Sequence, residues 1–182
     1  MHTFNTVTDD DTELIIKAFT LLNVEKNALL LKELQIPKYL YFINSGYLRL
    51  YHYADGEEIT THINCPPGFI TSFNNFIHAT PSDSYLQCIT ACELLCIKHE
   101  DLISLYGKDK KWAEFGNTIY QKSLTYNEQR MKDMLTLSAE DRYQKLLSEY
   151  PDIIQNVPLQ YIASFLGIRP ESLSRIRRKI IS

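Results

Sequence analysis

The spacing of apolar residues changes twice along this chain, and each change predicts a different kind of structure. From Thr12 to Leu34 the apolar residues recur at helical intervals, which predicts one or two amphipathic helices. From Tyr39 onward, apolar and polar residues alternate in short stretches rich in Tyr, Ile and Thr, which predicts strands. After Gly107 the helical spacing returns and continues nearly to the last residue.

Turn-forming sequences divide the predicted strand region into short pieces. "NSG" at 44–46 and "ADG" at 54–56 are typical of hairpin turns, and "CPPGF" at 65–69 and "HATPSDS" at 78–84 are further breaks. The stretch "YLQCITACELLCI" at 85–97 then predicts two more strands. Short strands at intervals of about 8–12 residues are typical of a small antiparallel barrel or jelly roll.

The helical region begins with one helix of almost thirty residues. At about 1.5 Å per residue it is about 40 Å long, too long for one small domain to cover. Its apolar residues are Trp112, Phe115, Ile119, Leu124, Met131, Met134 and Leu135. An apolar stripe on such a helix is expected to pack against another helix, most simply that of a second copy.

Three shorter helices are predicted to follow the long one. "SAED" is a capping sequence that starts a helix at Ser138, and that helix ends before Pro151. Pro158 lies in the first turn of the next helix, and Gly167 lies just past its end.

The last two helices have the spacing of two helices that cross over a tight turn. Ala163 is the small residue that permits a close crossing, and Gly167 suits the turn. The apolar positions that would join the two helices are Ile162, Leu166, Ile168, Leu173, Ile176 and Ile180. The polar positions on or beside the opposite face are Glu171, Ser172, Ser174, Arg175, Arg178 and Lys179. This layout is typical of a recognition helix in the major groove of DNA, and a solvated basic face is the alternative interpretation.

The distribution of charge favours the first interpretation. The 182-residue chain has a formal net charge of −3, whereas residues 162–180 contain five basic residues and one acid. A negative chain excludes non-specific coating of nucleic acid, but a single basic edge selects one orientation toward a polyanion.

The same sequence favours a cytoplasmic protein without a membrane partner. It contains no run of about 18 apolar residues, and its polar, acidic N-terminus is unlike a signal peptide. The four cysteines are therefore expected to be reduced thiols.

The predicted barrel, long helix and helix-turn-helix follow one another along the chain, and four stretches stand out: "FINSGYLRLYHYADGEEI", "PPGFI" at 66–70, "TACELLCI" at 90–97 and "VPLQYIASFLGIRPESLSRIRRKI". In these stretches and in this order of parts, the chain resembles the Crp/Fnr-type transcription regulators over nearly its whole length. The resemblance implies an α+β fold with a cyclic-nucleotide-binding-like jelly-roll barrel (1–108), a dimerisation helix (109–137) and a helix-turn-helix (138–182). It also implies a homodimer that binds a palindromic site on double-stranded DNA.

The resemblance assigns roles to single residues of the last helix. Glu171, Ser172 and Arg175 match the base-facing positions, so we expect Arg175 to read a guanine and Glu171 a cytosine amino group. Pro170 stands where the family often has Arg, and it presets the first turn but removes one base-reading side chain. Phosphate contacts are expected from Arg169, Arg178 and Lys179.

The segment that binds the cyclic nucleotide in the family lacks its usual partners here. The family has a Gly-Glu pair early in this segment and an Arg about ten residues later, whereas this chain has Thr71, Ser72 and Ser82. No Lys or Arg occurs at 50–97, so a buried cyclic phosphate would lack a cation. We therefore expect no response to cAMP, and an unidentified small effector would contact Gly68, Thr71, Ser72 and Ser82.

The two ends of the resemblance also depart from the family. The region before Tyr39 is short, which predicts a trimmed barrel. The sequence stops at Ser182, where many members continue into a β-hairpin wing, so we expect no wing contacts with DNA.

Other chemistry finds little support in the sequence. Cys88, Cys92 and Cys96 are expected to be packed thiols rather than a metal or redox site, because iron–sulfur members of the family use an N-terminal cysteine cluster. Histidines in metal-ligand spacing and the motifs of common enzymes are missing, so we expect no cofactor and no enzyme activity. Two alternatives stay open: a small-molecule-binding barrel whose last helices contact proteins, and a barrel enzyme of the cupin type.

Overall fold

The computed structural model describes residues 8–181, so residues 1–7 of the predicted polar N-terminus and Ser182 lie outside it. The strands it contains form two four-stranded antiparallel sheets, in the orders β1-β8-β3-β6 and β2-β7-β4-β5. Their bounds are β1 Thr20–Val24, β2 Leu29–Leu31, β3 Tyr39–Ser45, β4 Leu48–Ala54, β5 Glu57–Asn64, β6 Gly68–Ile70, β7 Tyr85–Cys88 and β8 Cys92–Lys98. The predicted jelly-roll barrel is thereby confirmed.

The barrel core lies between the two sheets, as the alternation of side chains requires. On β4, Leu48 and Leu50 point into this core, where they meet Leu86 and Leu94. The predicted packing of the cysteines agrees with their positions, because Cys88, Cys92 and Cys96 are all buried in this core.

The prediction of helices from Thr12 to Leu34 is correct only at its start. A helix, α1 (Asp9–Ala18), is capped by the Thr8 hydroxyl and gives way to strands β1 and β2. β1 pairs with β8 along its whole length, and β2 pairs with β7. Pairing with these distant strands decides the local structure. Because β1 and β2 both precede Tyr39, the barrel is not trimmed there.

The predicted long helix is confirmed as α4, which has 27 residues. The helices that follow α1 are α2 Phe73–His78, α3 His99–Lys108, α4 Lys110–Thr136, α5 Ala139–Glu149, α6 Ile153–Asn156, α7 Leu159–Phe165 and α8 Pro170–Ile181. The Ser138 hydroxyl accepts a hydrogen bond from the Asp141 N–H at 3.1 Å, which confirms the predicted cap of α5.

Helices α7 and α8, with the turn between them, are called the C-terminal helix pair below. They cross as the sequence predicts: Ala163 and Leu173 are fully buried where the helices meet. Gly167 has φ +67° in the turn, and a Cβ there would lie 2.5 Å from Met134 Cε. Ile180 is 37% exposed near the end of α8, so the prediction that it faces the core is wrong.

Candidate functional site

The outward face of α8 carries the side chains that the sequence assigns to DNA. Leu173 is fully buried on the inner side of this helix, where the half-buried Arg177 lies one turn further along, and the other charged residues lie on the remaining sides. The exposed members of the set are Arg169, Glu171, Arg175, Arg178 and Lys179, and Ser172 and Ser174 are half-buried. The seven residues are thus brought together at one edge of the molecule.

Two side-chain contacts restrain residues of this face. Arg175 Nη2 donates to the Ser172 hydroxyl at 3.2 Å, which is one turn back on the same helix. Lys179 Nζ forms an ion pair with Glu140 Oε2 of α5 at 2.7 Å. Glu140 therefore neutralises part of the positive face in this state.

Arg142 of α5 binds main-chain carbonyls at the ends of α7 and α4. Arg142 donates from Nε and Nη2 to the Leu166 carbonyl at 3.2 and 2.9 Å, and from Nη1 to the Leu137 carbonyl at 2.7 Å. Carbonyls at the end of a helix have no partner within it, so a cation is well placed there. Sequence reasoning missed this contact, and a lone Arg near the start of α5 is its one visible signal.

Helix α4 has two different apolar surfaces. Its first half packs against the barrel and α3 through Trp112, Phe115 and Ile119. Its second half carries Leu124, Met131 and Leu135, which are 60%, 61% and 80% exposed. At about 100° per residue these three lie within about 40° of one another around the helix, so they form one open apolar strip, which the exposed Glu128 interrupts on the same side.

The predicted effector residues of the barrel are bonded to one another and to the main chain. Thr71 Oγ1 donates to the Tyr39 carbonyl at 2.9 Å, and Ser72 Oγ donates to Asn75 Oδ1 at 2.7 Å. Ser82, which is 1% exposed, lies 3.3 Å from Ser72 through the two hydroxyls and accepts the Ser84 N–H at 3.0 Å. These hydroxyls are therefore satisfied without a ligand.

A cavity of about 450 Å³ lies beside this network. It is lined mainly by apolar and aromatic residues, Leu30, Leu31, Ile36, Tyr39, Tyr41 and Leu86, and its wall also includes Gln35 and the basic Lys38. Burial raises the pKa of Tyr41, so its phenol stays neutral. Of the predicted effector residues, Thr71 lines the cavity, whereas Gly68, Ser72 and Ser82 do not.

Residues 21–109 match the family model of the cyclic nucleotide-binding domain. FixK2 from Bradyrhizobium japonicum superposes with a TM-score of 0.76 at 18% identity, over 89% of this chain and 84% of that one. The c-di-GMP responsive global regulator CLP from Xanthomonas campestris gives 0.72 at 19% identity, over 93% and 89%. The chain has the fold of the Crp/Fnr regulators. A protein of Eubacterium rectale assigned to the Crp/Fnr family gives 0.72 at 18% identity, over 94% and 82%.

Because the sequence identities are all below 20%, these structural similarities support the fold alone. The function has to be argued from the residues of the site. No curated protein matches the sequence.

Neither a membrane-spanning helix nor a metal site is found in the part of the chain that the structure describes. None of the helices within residues 8–181 is both long and apolar enough to cross a bilayer. Within the same residues, no three His, Cys, Asp or Glu side chains are grouped so that they could hold a metal ion.

Proposed function

We propose that this protein is a cytoplasmic, homodimeric transcription regulator of the Crp/Fnr type that binds a palindromic DNA site, and that it is not an enzyme. The proposal rests chiefly on the outward face of α8. It is basic on a chain of net charge −3, and the buried Leu173 on its inner side fixes its direction. The chain is proposed to have three functional parts: the barrel (1–108), the dimerisation helix (109–137) and the DNA-binding part (138–182).

The chemistry of each side chain suits a distinct part of the duplex. Arg175 presents a two-pronged donor that fits the O6 and N7 atoms of a guanine, and Glu171 accepts from a cytosine amino group. Ser172 and Ser174 donate or accept at neighbouring base edges. Phosphate contacts come from Arg169, Arg178 and Lys179, which fix the register of the helix in the groove.

The apolar strip on α4 supports the dimer. Water-exposed Leu124, Met131 and Leu135 on a single side of a long helix are best buried by the same strip of a second copy. Such a two-fold arrangement places two recognition helices about 34 Å apart, one turn of DNA.

The barrel is proposed to bind an unidentified small effector other than cAMP, or none. Ser72 and Ser82 stand where the family places the ribose-binding acid and the phosphate-binding Arg, and their hydroxyls already bond each other. At these two positions a cyclic phosphate would meet no cation, so the loss of its hydration would go uncompensated there.

Selection of bound sequences from a pool of random duplexes tests this function directly. The proposal requires enrichment of two inverted half sites whose centres lie about 10 base pairs apart. A pool that shows no enriched sequence would refute sequence-specific binding, and a single asymmetric site would refute the dimer.

A further inference from the structure

Arg49 of β4 is the largest fully buried side chain among the described residues, and it carries a charge. The alternation of β4 places it on the outer face of the barrel, where a cation would ordinarily meet water. Its Nη2 instead forms an ion pair with Glu58 Oε2 at 2.5 Å, and its Nε donates to Gln87 Oε1 at 2.9 Å. Something must therefore cover this face of the sheet.

The cover is Tyr161 of α7. The guanidinium carbon of Arg49 lies 3.6 Å from the centroid of the Tyr161 ring and 4.0 Å from that of Tyr51. A guanidinium between two aromatic faces is held by cation–π attraction, which is stronger when water is excluded. One of these rings belongs to the barrel and the other to the C-terminal helix pair.

Ser164, one turn further along α7, makes a second contact of a different kind. Strand β5 is the edge of its sheet, so the outward main-chain groups of Glu58 and Thr60 lack a neighbouring strand. The Ser164 hydroxyl accepts the Thr60 N–H at 2.8 Å and donates to the Glu58 carbonyl at 3.0 Å. A single side chain thus bonds the helix pair to the open edge of the barrel.

The contact does not hide the face that reads DNA. Tyr161 and Ser164 belong to α7, whereas Glu171, Arg175, Arg178 and Lys179 of α8 are exposed in the same state. A contact that blocked DNA binding would cover these residues. This one leaves them open and fixes the direction in which they point.

We propose that Arg49, Tyr161 and Ser164 are positioning residues that hold the C-terminal helix pair on the barrel in the orientation used for DNA binding. The inference rests on the proposed function. In a dimer, each C-terminal helix pair that is already held on its barrel can bind its half site of a palindrome without losing further orientational freedom. The entropy cost of binding both half sites at once is therefore lower. A single half site does not need this order.

The test uses the full-length chain with three variants: Tyr161→Leu removes the aromatic face, Ser164→Ala removes the hydroxyl, and Tyr161→Phe is the matched control that keeps the ring. The first readout needs no DNA and is the exchange rate of the Thr60 amide hydrogen with solvent. We expect Ser164→Ala and Tyr161→Leu to accelerate this exchange about tenfold, because a hydrogen bond or its support is lost, and Tyr161→Phe to leave it unchanged.

The second readout is affinity for two duplexes, the selected palindrome and the same duplex with one half site scrambled. We expect Tyr161→Leu and Ser164→Ala to weaken binding to the palindrome about tenfold while binding to the scrambled duplex changes less than about twofold, with Tyr161→Phe like wild type. Equal losses on both duplexes, or a gain on the palindrome, would overturn the positioning role. If the wild type binds neither duplex, the proposed function fails, whereas the exchange rates still decide whether these residues hold the helix pair on the barrel.

Discussion

Arg130, in the second half of α4, donates through Nη2 to the main-chain carbonyl of Phe165 at 2.7 Å, and its guanidinium carbon lies 4.6 Å from the centroid of the Phe165 ring. Phe165 is the last residue of α7, where carbonyls lack partners within the helix. A side chain of the long helix therefore satisfies a main-chain carbonyl at the C-terminal end of α7. Since α4 also carries the exposed apolar strip, this bond connects the proposed dimer contact to the proposed DNA-binding helices.

Replacing Arg130 by Met should loosen the end of α7. The Phe165 carbonyl loses its charged donor, and we expect the free energy of unfolding to fall by about 1–3 kcal/mol. Urea denaturation followed by circular dichroism measures this. Lys132→Met, which removes an exposed cation from the same helix, is the matched control and should change stability by less than about 0.5 kcal/mol. Equal effects of the two changes would show that the bond to Phe165 contributes nothing.

Replacing Glu140 by Gln should strengthen DNA binding. Glu140 occupies Lys179 in an ion pair, and its loss leaves that ammonium group available to phosphates. An exposed pair contributes at most about 1 kcal/mol, so we expect affinity for any duplex to rise by up to about fivefold at low salt and less at high salt. Glu25→Gln, which removes an exposed acid from the barrel, is the control for the change in net charge. A gain as large in Glu25→Gln would mean that the pairing with Lys179 is irrelevant.

Placing acids on the apolar strip of α4 should separate the dimer. We expect the double change Leu124→Glu and Met131→Glu to give a monomer in sedimentation velocity, because four carboxylates would be brought together between the two helices. Thr125→Glu lies about 100° around the same helix and should leave the dimer intact. A double variant that stays dimeric would place the contact elsewhere.

Cyclic AMP should leave the protein unaffected. A ligand that binds the folded state at about 100 times its Kd stabilises it by about 2.7 kcal/mol, which raises the melting temperature by several degrees. We expect no shift at about 1 mM cAMP, because Ser72 and Ser82 offer no charge to the phosphate. A shift that rises with concentration and saturates would show that the barrel does bind the nucleotide.

The features that local spacing controls could be predicted from the sequence. The long helix α4, the Ser138 cap and the crossing of α7 over α8 at Ala163 and Gly167 all depend on residues within a few turns of one another. Strands β1 and β2 could not be predicted in this way. Their apolar residues resemble one side of a helix, and only pairing with β8 and β7, more than 50 positions away, makes them strands.

The contact between barrel and helix pair was equally invisible in the sequence. Arg49 alternates with the inward-facing Leu48 and Leu50, so the pattern places it in water, and nothing local indicates that Tyr161 covers it. Ser164 has no spacing signal at all, because its partners are main-chain groups of a strand about a hundred positions earlier. The candidate DNA face was accessible to prediction because one helix contains all of it except Arg169.

Whether α8 reads a DNA sequence can be decided by comparing Arg175→Ala with wild type on the selected palindrome and on a random duplex. We expect a loss of about 1–3 kcal/mol on the palindrome, little change on the random duplex and relaxed preference at one base position. Arg178→Ala serves as the contrast and should weaken both duplexes alike while lowering the salt slope by about 1. Equal losses for Arg175→Ala on the two duplexes would mean that Arg175 reads no base.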